Sequence, residues 1–333
     1  MLTNRKSYIL FALLLVIPGL LNAELFPNLG GQRVGTSAAQ FLKIGVGARA
    51  VALGESYVAI ANDAEALFWN PAGISQFSDN DYFFTYNQWF SDIQIYYSGA
   101  VFHLNQTNTI GAFFTALTTD DMMETTELEP TGTGRYFSYG DLVTGISYAR
   151  NMTNKFSFGV TIKYFQETLA ELKMSSVLFD LGTYYKTGWK STRFGVSVTN
   201  FSSDMSAEGS YTYKTLKNET VKVSKFQAFT PPIMFRIGLA AEALERSGHK
   251  LTWSVQLNHP NDNSENLNFG AEYWYRNILA LRSGYITSRT DRNVSFGVGL
   301  NVPLGRNGFR VDYSYANFGR LGYVNQYTFH ILL

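Results

Sequence analysis

From about Asp81 to the C-terminus the chain alternates apolar and polar residues with a period of two. "NVSFGVGLNV" (293–302) sets Val294, Phe296, Val298, Leu300 and Val302 on one side and Ser295, Gly297, Gly299 and Asn301 on the other. "KLTWSVQLN" (250–258), "KFSFGVTIKY" (155–164), "TRFGVSVTN" (192–200) and "FRVDYSY" (309–315) behave alike. Successive side chains of a strand point to opposite faces, so each stretch reads as a strand with one apolar face. A water-facing sheet would favour Lys and Glu on its polar side. Here that side carries Gly, Ser, Thr and Asn, which suit a crowded interior. Tyr, Phe and Trp gather near strand ends on the apolar side, as in the aromatic girdles of a barrel at the lipid interface. In hydrocarbon an open sheet edge would leave backbone groups unpaired, so the sheet must close.

Strand segments fall at 82–88, 93–104, 107–118, 140–150, 155–167, 175–187, 192–201, 231–241, 249–258, 265–276, 278–288, 291–302, 308–316 and 323–333. The predicted fold is therefore all-β, a transmembrane antiparallel β-barrel of about 14 strands. Most segments approach the ~9–11 residues a tilted strand needs to cross. Long connections follow the third strand (119–139) and the seventh (202–230); those after even strands are mostly short, the longest at about 242–248. Long loops outside and short turns in the periplasm are the asymmetry of an outer-membrane barrel.

Residues 24–80 break the pattern. They are rich in Ala and Gly, alternate poorly and offer one helical candidate near 36–44. The segment is too apolar for water and too long for a tail, so it is expected inside the barrel mouth as a plug or hatch. "FWNPAGIS" (68–75) would turn the chain into the first wall strand, with Asn70 as cap, Pro71 at the first helical position and Gly73 behind it. Upstream, Arg5 and Lys6 precede the apolar run Ile9–Ile17, and Leu21-Asn22-Ala23 closes it. That is the order of a signal peptide (1–23) cut near Ala23, which places the barrel (81–333) in the outer membrane of a Gram-negative-type bacterium.

Composition agrees. Charged residues are 16% of the 333 and aromatics 16%, with 45% apolar residues, as expected when lipid and lumen faces cancel in the average. A net charge of +1 gives no field for nucleic acid. The absence of Cys excludes disulfides and thiolate chemistry.

"AAQFLKIGVGARAVALGESYVAIANDAEALFWNPAGIS" carries a resemblance. Phe41-Leu42, Ala48-Arg49-Ala50, Leu53-Gly54, Asp63-Ala64 and Asn70-Pro71-Ala72-Gly73 resemble the N-terminal signature of the PorV/PorQ family of outer membrane proteins, related to FadL-type fatty acid transporters. Glu55 departs from the usual Gly, and the C-terminal Leu333 from the usual aromatic. The resemblance implies a fourteen-stranded barrel with an N-terminal hatch. For PorV it implies service in type IX secretion, with secreted cargo proteins and secretion machinery as partners beside outer membrane lipid. FadL-type members instead pass hydrophobic small molecules; a passive structural barrel is the third alternative.

Candidate sites follow. Arg49 binds a carboxylate of a ligand or cargo terminus, or pairs with an inward acid of the wall. Lys163, Asp180, Arg236, Glu272, Arg282, Arg310, Asp312 and His330 fall on inward faces, and their mixed signs suggest a salt-bridged lumen over an ion-selective pore. In the first long loop Asp120, Asp121 and Glu124 offer oxygen ligands, but at a spacing that does not match a Ca²⁺ loop. The second long loop carries Lys214, Lys217, Lys222 and Lys225 with Phe226 and Phe229. The two loops either clasp by opposite charge or form a docking lip. His103, His249, His259 and His330 give no ligand-spaced pair, and no phosphate loop occurs, so neither catalysis, metal nor cofactor is expected.

Overall fold

The computed structural model describes residues 34–217, 219–287, 293–305 and 307–333. The expected signal peptide lies outside the described residues. The wall begins with β1 (Asp81–Gln88), β2 (Gln94–His103) and β3 (Asn108–Thr118). A two-residue hairpin, β4 (Met122–Met123) and β5 (Tyr136–Phe137), stands in the first long loop. The wall resumes with β6 (Tyr139–Asn151), β7 (Phe156–Leu169), β8 (Leu172–Lys186) and β9 (Arg193–Phe201). A second loop hairpin pairs β10 (Tyr211–Lys214) with β11 (Thr220–Val223). The wall continues with β12 (Met234–Arg246), β13 (His249–Pro260), β14 (Asn266–Tyr275) and β15 (Leu279–Ile286). It ends with β16 (Val294–Leu304), β17 (Asn307–Asn317) and β18 (Tyr323–Leu332).

Fourteen of these strands form one closed antiparallel barrel. β1 pairs with β18 from Asp81–Leu332 to Gln88–Asn325, which closes the sheet and leaves no open edge for hydrocarbon. Burial alternates as the sequence predicts: on β16, Val294, Phe296, Val298 and Leu300 are exposed, while Ser295, Gly297 and Gly299 are buried. No helix among the described residues is long and apolar enough to cross a membrane; crossing is by strands.

Two expectations need correction. The connection placed at about 242–248 is only 247–248, because β12 continues to Arg246. A register shift between Glu242 and Leu244 absorbs an extra residue there, the usual effect of a bulge on an alternation pattern. The helical candidate near 36–44 is a single 3₁₀ turn, Gln40–Lys43. Ala39 before it is left-handed (φ 51°), and the chain is already extended at Ile44, so no longer helix can form.

Residues 34–80 lie against the inward face of the wall. Short helices at Ala48–Ala52 and Ala66–Trp69 and a 3₁₀ turn at Pro71–Ser75 are joined by tight turns. Asn70 Oδ1 accepts from Ala72 N at 3.1 Å, and Pro71 fills the first position of the turn. Asn70 Nδ2 donates to Val58 O and across to Thr183 O on β8. Close approach is made possible by glycine. A Cβ on Gly284 would overlap the backbone of Leu53 and Gly54, and Gly54 itself has φ +62°.

The interior has two chemically distinct sides. Phe41, Leu42, Val46, Leu67 and Trp69 pack with Phe83, Tyr97, Phe113, Phe165 and Leu178, an apolar cluster against β1–β3 and β6–β8. The opposite side, against β14–β18, is ionic. The described N-terminal segment is also tied to the outer loops: Lys43 Nζ lies 2.8 Å from Asp262, and Ser37 bridges Thr230.

Candidate functional site

Arg49 sits in the second position of the helix Ala48–Ala52 and points at β14. Its Nε and Nη2 donate to the two carboxylate oxygens of Glu272 at 2.8 and 2.7 Å, a bidentate fork. Its Nη1 donates to Asp63 at 2.8 Å and to Asn62 Oδ1 at 2.8 Å. Glu272 accepts in turn from Arg282 Nε at 2.7 Å, and Arg282 Nη1 donates to Asp312 at 2.5 Å. Asp312 pairs with Arg310 Nε at 2.8 Å, and Arg310 Nη2 returns to Asp63 at 2.7 Å. The six side chains form a closed ring, Asp63–Arg49–Glu272–Arg282–Asp312–Arg310, of alternating sign and zero net charge.

Its chemistry follows from burial. All six residues are buried, where an unpaired charge is costly and a ring gives every charge two opposite neighbours. Two members come from the N-terminal segment and four from β14, β15 and β17, so the ring pins the segment to the wall. Tyr57 supports it by donating its hydroxyl to Asp63 at 2.7 Å. His330 extends it. Its Nε2 lies 2.7 Å from Arg310 Nη2 and 3.6 Å from Glu65 Oε1, and its Nδ1 lies 3.0 Å from Asp81. The Asp81 carboxylate also accepts from Ala64 N at 2.8 Å.

Glu65, Asp312 and His330 each offer one ligand atom, all within 4.8 Å of one another. Arg310 already contacts both Asp312 and His330, so a cation there would have to displace a buried guanidinium. The arrangement is built to hold protein charges in place.

The other inward candidates form a smaller group. Lys163 Nζ lies 2.7 Å from Asp180 and 2.6 Å from Asn200 Oδ1. Arg236 donates to Thr199 Oγ1 at 2.9 Å and lies over the Trp69 ring at 5.2 Å. Neither Asp180 nor Arg236 belongs to the ring, whereas Arg49, Glu272, Arg282 and Asp312 do. Asn70, Pro71 and Gly73 are buried and hold the corner before β1. Asp63 is named from the sequence only within the family motif, with no charge partner assigned, and residue-by-residue reading misses Tyr57 and Asp81, which brace the ring from outside.

Beside Lys163 and Asp180, residues Phe41, Leu42, Ile44, Val46, Leu67, Ile95, Phe113 and Val143 enclose an apolar cavity. Its volume is about 20 Å³, room for roughly one water. Phe113 also borders two hollows on the lipid face, where Gly99, Ala100, Ala112 and Gly145 thin the wall.

On the outer loops the acidic and basic candidates stay apart. Asp120 and Asp121 are exposed. Glu124 is paired within its own loop, to Arg135 at 2.7 and 3.0 Å and to the Thr133 hydroxyl at 2.8 Å. The hydroxyl first, then the guanidinium, hold the Glu124 carboxyl below its usual range. Among the described residues no ion pair joins this loop to Lys214, Lys217, Lys222 or Lys225, so of the two alternatives the charge clasp does not form. Phe226 instead stacks on Tyr211, which stacks on Tyr213, with centroids 6.3 and 6.0 Å apart. Phe229 pairs its backbone with Met205.

A sequence-family profile for the type IX secretion system protein PorV matches residues 28–213. This chain belongs to the PorV family. No curated protein matches it at the level of its full sequence. Among solved structures, the toluene transporter TbuX of Ralstonia pickettii superposes with a TM-score of 0.59 at 13% identity, over 86% of this chain and 97% of the other. A FadL homologue of Pseudomonas aeruginosa gives 0.56 at 12% identity, over 86% and 97%. The toluene transporter TodX of Pseudomonas putida gives 0.56 at 14% identity, over 86% and 96%. At such identities the likeness is one of fold. The PorV-family chain is an outer-membrane β-barrel with FadL-like architecture.

Proposed function

We propose that this PorV-family barrel is a docking component of type IX secretion, with exported cargo recognised on its outer loops. The observation that carries the reading is the family match over residues 28–213, which names a secretion protein. The interior supports it. A ring that pins the N-terminal segment, and an apolar cavity of about 20 Å³, suit a closed lumen better than a conduit for folded protein. Residues 34–80 then act as a permanent plug, and contact with cargo falls to the loops. Exposed Tyr211 and Tyr213 stack with half-buried Phe226, flanked by four lysines, the composition of a protein-binding surface more than of a solvated loop.

The test replaces residues 211–223 by a short turn and measures capture of exported proteins bearing a type IX C-terminal domain. The folded barrel should capture such proteins, and the shortened variant should lose capture while staying heat-modifiable on gels. If the intact barrel captures none, and cells lacking it still deliver cargo to the surface, the reading is wrong.

A second reading, passage of hydrophobic small molecules through the side wall, is favoured by one feature. Phe113 separates the apolar cavity from the lipid-face hollows. The structurally similar TbuX and TodX are described as toluene transporters. On this reading Phe113→Ala would raise uptake of a hydrophobic solute by cells; unchanged uptake speaks against it.

A further inference from the structure

The periplasmic mouth of the barrel holds a second polar space outside the ring. One cavity of about 320 Å³ is bordered by Arg49, Arg193, Lys250, Arg310 and Glu272. A neighbour of about 300 Å³ is bordered by Lys186, Lys190, Arg193, Glu242 and Lys250. The two share Asn62, Arg193 and Lys250, so they form one vestibule. Its rim includes the short turns after β8 (Gly188, Lys190, Ser191, Thr192) and after β14 (Asn277), which places it on the periplasmic side.

The charge balance of this vestibule is uneven. Arg49, Arg310 and Glu272 belong to the neutral ring. Arg193 Nη1 reaches both oxygens of Glu242 at 2.8 Å, which neutralises that pair. Lys250 lies 3.7 Å from Glu242, an acid already engaged by Arg193. Lys186 and Lys190 have no carboxylate partner among the described residues; Lys190 lies over the Trp189 ring at 5.4 Å. Three ammonium groups are therefore left in surplus around a concave, low-dielectric wall, the geometry that focuses a positive potential. Buried guanidinium groups at 5 to 8% exposure form its back wall. Ser191 and Thr192 add hydroxyl groups.

We propose that this vestibule binds a multiply charged oxyanion of a soluble periplasmic solute, a phosphate ester or a clustered carboxylate. Lys186, Lys190 and Lys250 supply the charge that the protein does not itself neutralise. Arg193 supplies directional donors, since its Nε already holds Ala59 O at 3.0 Å and so fixes the guanidinium plane. Binding would also bear on the N-terminal segment, because Arg49 and Arg193 both grip its 59–63 turn.

The experiment uses the full folded barrel in a zwitterionic detergent and measures binding of pyrophosphate, inorganic phosphate and citrate by calorimetry. Nanodiscs with and without phosphatidylglycerol distinguish a lipid phosphate from a soluble one. The expected result is saturable binding of pyrophosphate or citrate that weakens with salt and does not depend on phosphatidylglycerol. The combined Lys186→Gln, Lys190→Gln and Lys250→Gln variant should bind at least tenfold more weakly, about 1.4 kcal/mol. Lys222→Gln with Lys225→Gln, on the outer hairpin, should leave binding unchanged. All five lysines are partly or fully exposed, so the variants fold. Absence of saturable binding into the millimolar range overturns the proposal. So does equal loss in the outer-hairpin variant, or competition by phosphatidylglycerol alone.

Discussion

Replacing Arg49 by Met tests whether the ionic ring holds the N-terminal segment in the wall. Arg49 makes one of the ring's two links from the segment to the wall, to Glu272, and also holds Asp63 of its own segment, whose link to Arg310 is the other. After the substitution Glu272 keeps Arg282 and Asp63 keeps Arg310, so neither carboxylate is fully orphaned. The ring nevertheless carries one uncompensated negative charge in a buried site. Removing one partner of such a pair costs about 3–5 kcal/mol. Each carboxylate keeps one guanidinium partner, so the effect should lie toward the lower end. At about 1.4 kcal/mol per tenfold, local release of residues 34–80 should rise by roughly a hundredfold or more. The wall strands pair independently of Arg49, so the barrel itself should stay closed. Limited proteolysis of the folded protein from the periplasmic side reads this out, with cleavage within 34–80 and an intact 81–333 fragment. The double variant Arg49→Met with Glu272→Gln restores neutrality at the broken link, and should cost less than the sum of the two single changes. Unchanged cleavage in Arg49→Met, or strict additivity in the double variant, would refute the reasoning.

Three further outcomes are expected. Leu281→Arg puts a charge on the lipid face of β15 and should destabilise refolding into vesicles by about 2–4 kcal/mol, read by denaturant titration; no loss would mean that Leu281 does not face lipid. Gly284→Val forces a side chain into the Leu53–Gly54 backbone and should cost roughly 1–3 kcal/mol or unseat the segment, read by the same proteolysis. Glu124 is held below the usual carboxylate range in the folded loop, so its contribution is present above its unfolded pKa and is lost as pH falls through the lowered value. A ¹³C titration of its carboxyl should show that downward displacement, and Arg135→Gln should reduce it.

The wall was readable because lipid enforces a strict rule. Every crossing strand must show an apolar outward face, so a period of two marks each of the fourteen strands over most of its length, and each predicted segment corresponds to one of them. Where the rule relaxes, the reading fails. β12 runs on past its expected end because a bulge near Glu242 breaks the alternation. The loop hairpin Tyr211–Lys214 with Thr220–Val223 alternates too, but it lies in water, where apolar content no longer marks it. Inward charges were visible as misfits on polar faces, and their mixed signs pointed to pairing. Their order around the ring was not, because Arg49 and Glu272 are 223 residues apart and Arg310 closes onto Asp63 across 247. Only closure of the barrel brings β14, β15 and β17 to one side of the N-terminal segment.

Whether residues 34–80 lie inside a closed wall can be measured directly and cleanly, because the chain has no cysteine. A Cβ on Gly238 of β12 would stand 3.5 Å from Ala59 Cβ, within the range a disulfide spans. Oxidation of Ala59→Cys with Gly238→Cys in intact outer membranes should form that bridge, shown by a reducible mobility shift and protection of both thiols. If both thiols remain free and open to labelling under oxidant, the N-terminal segment does not occupy the barrel.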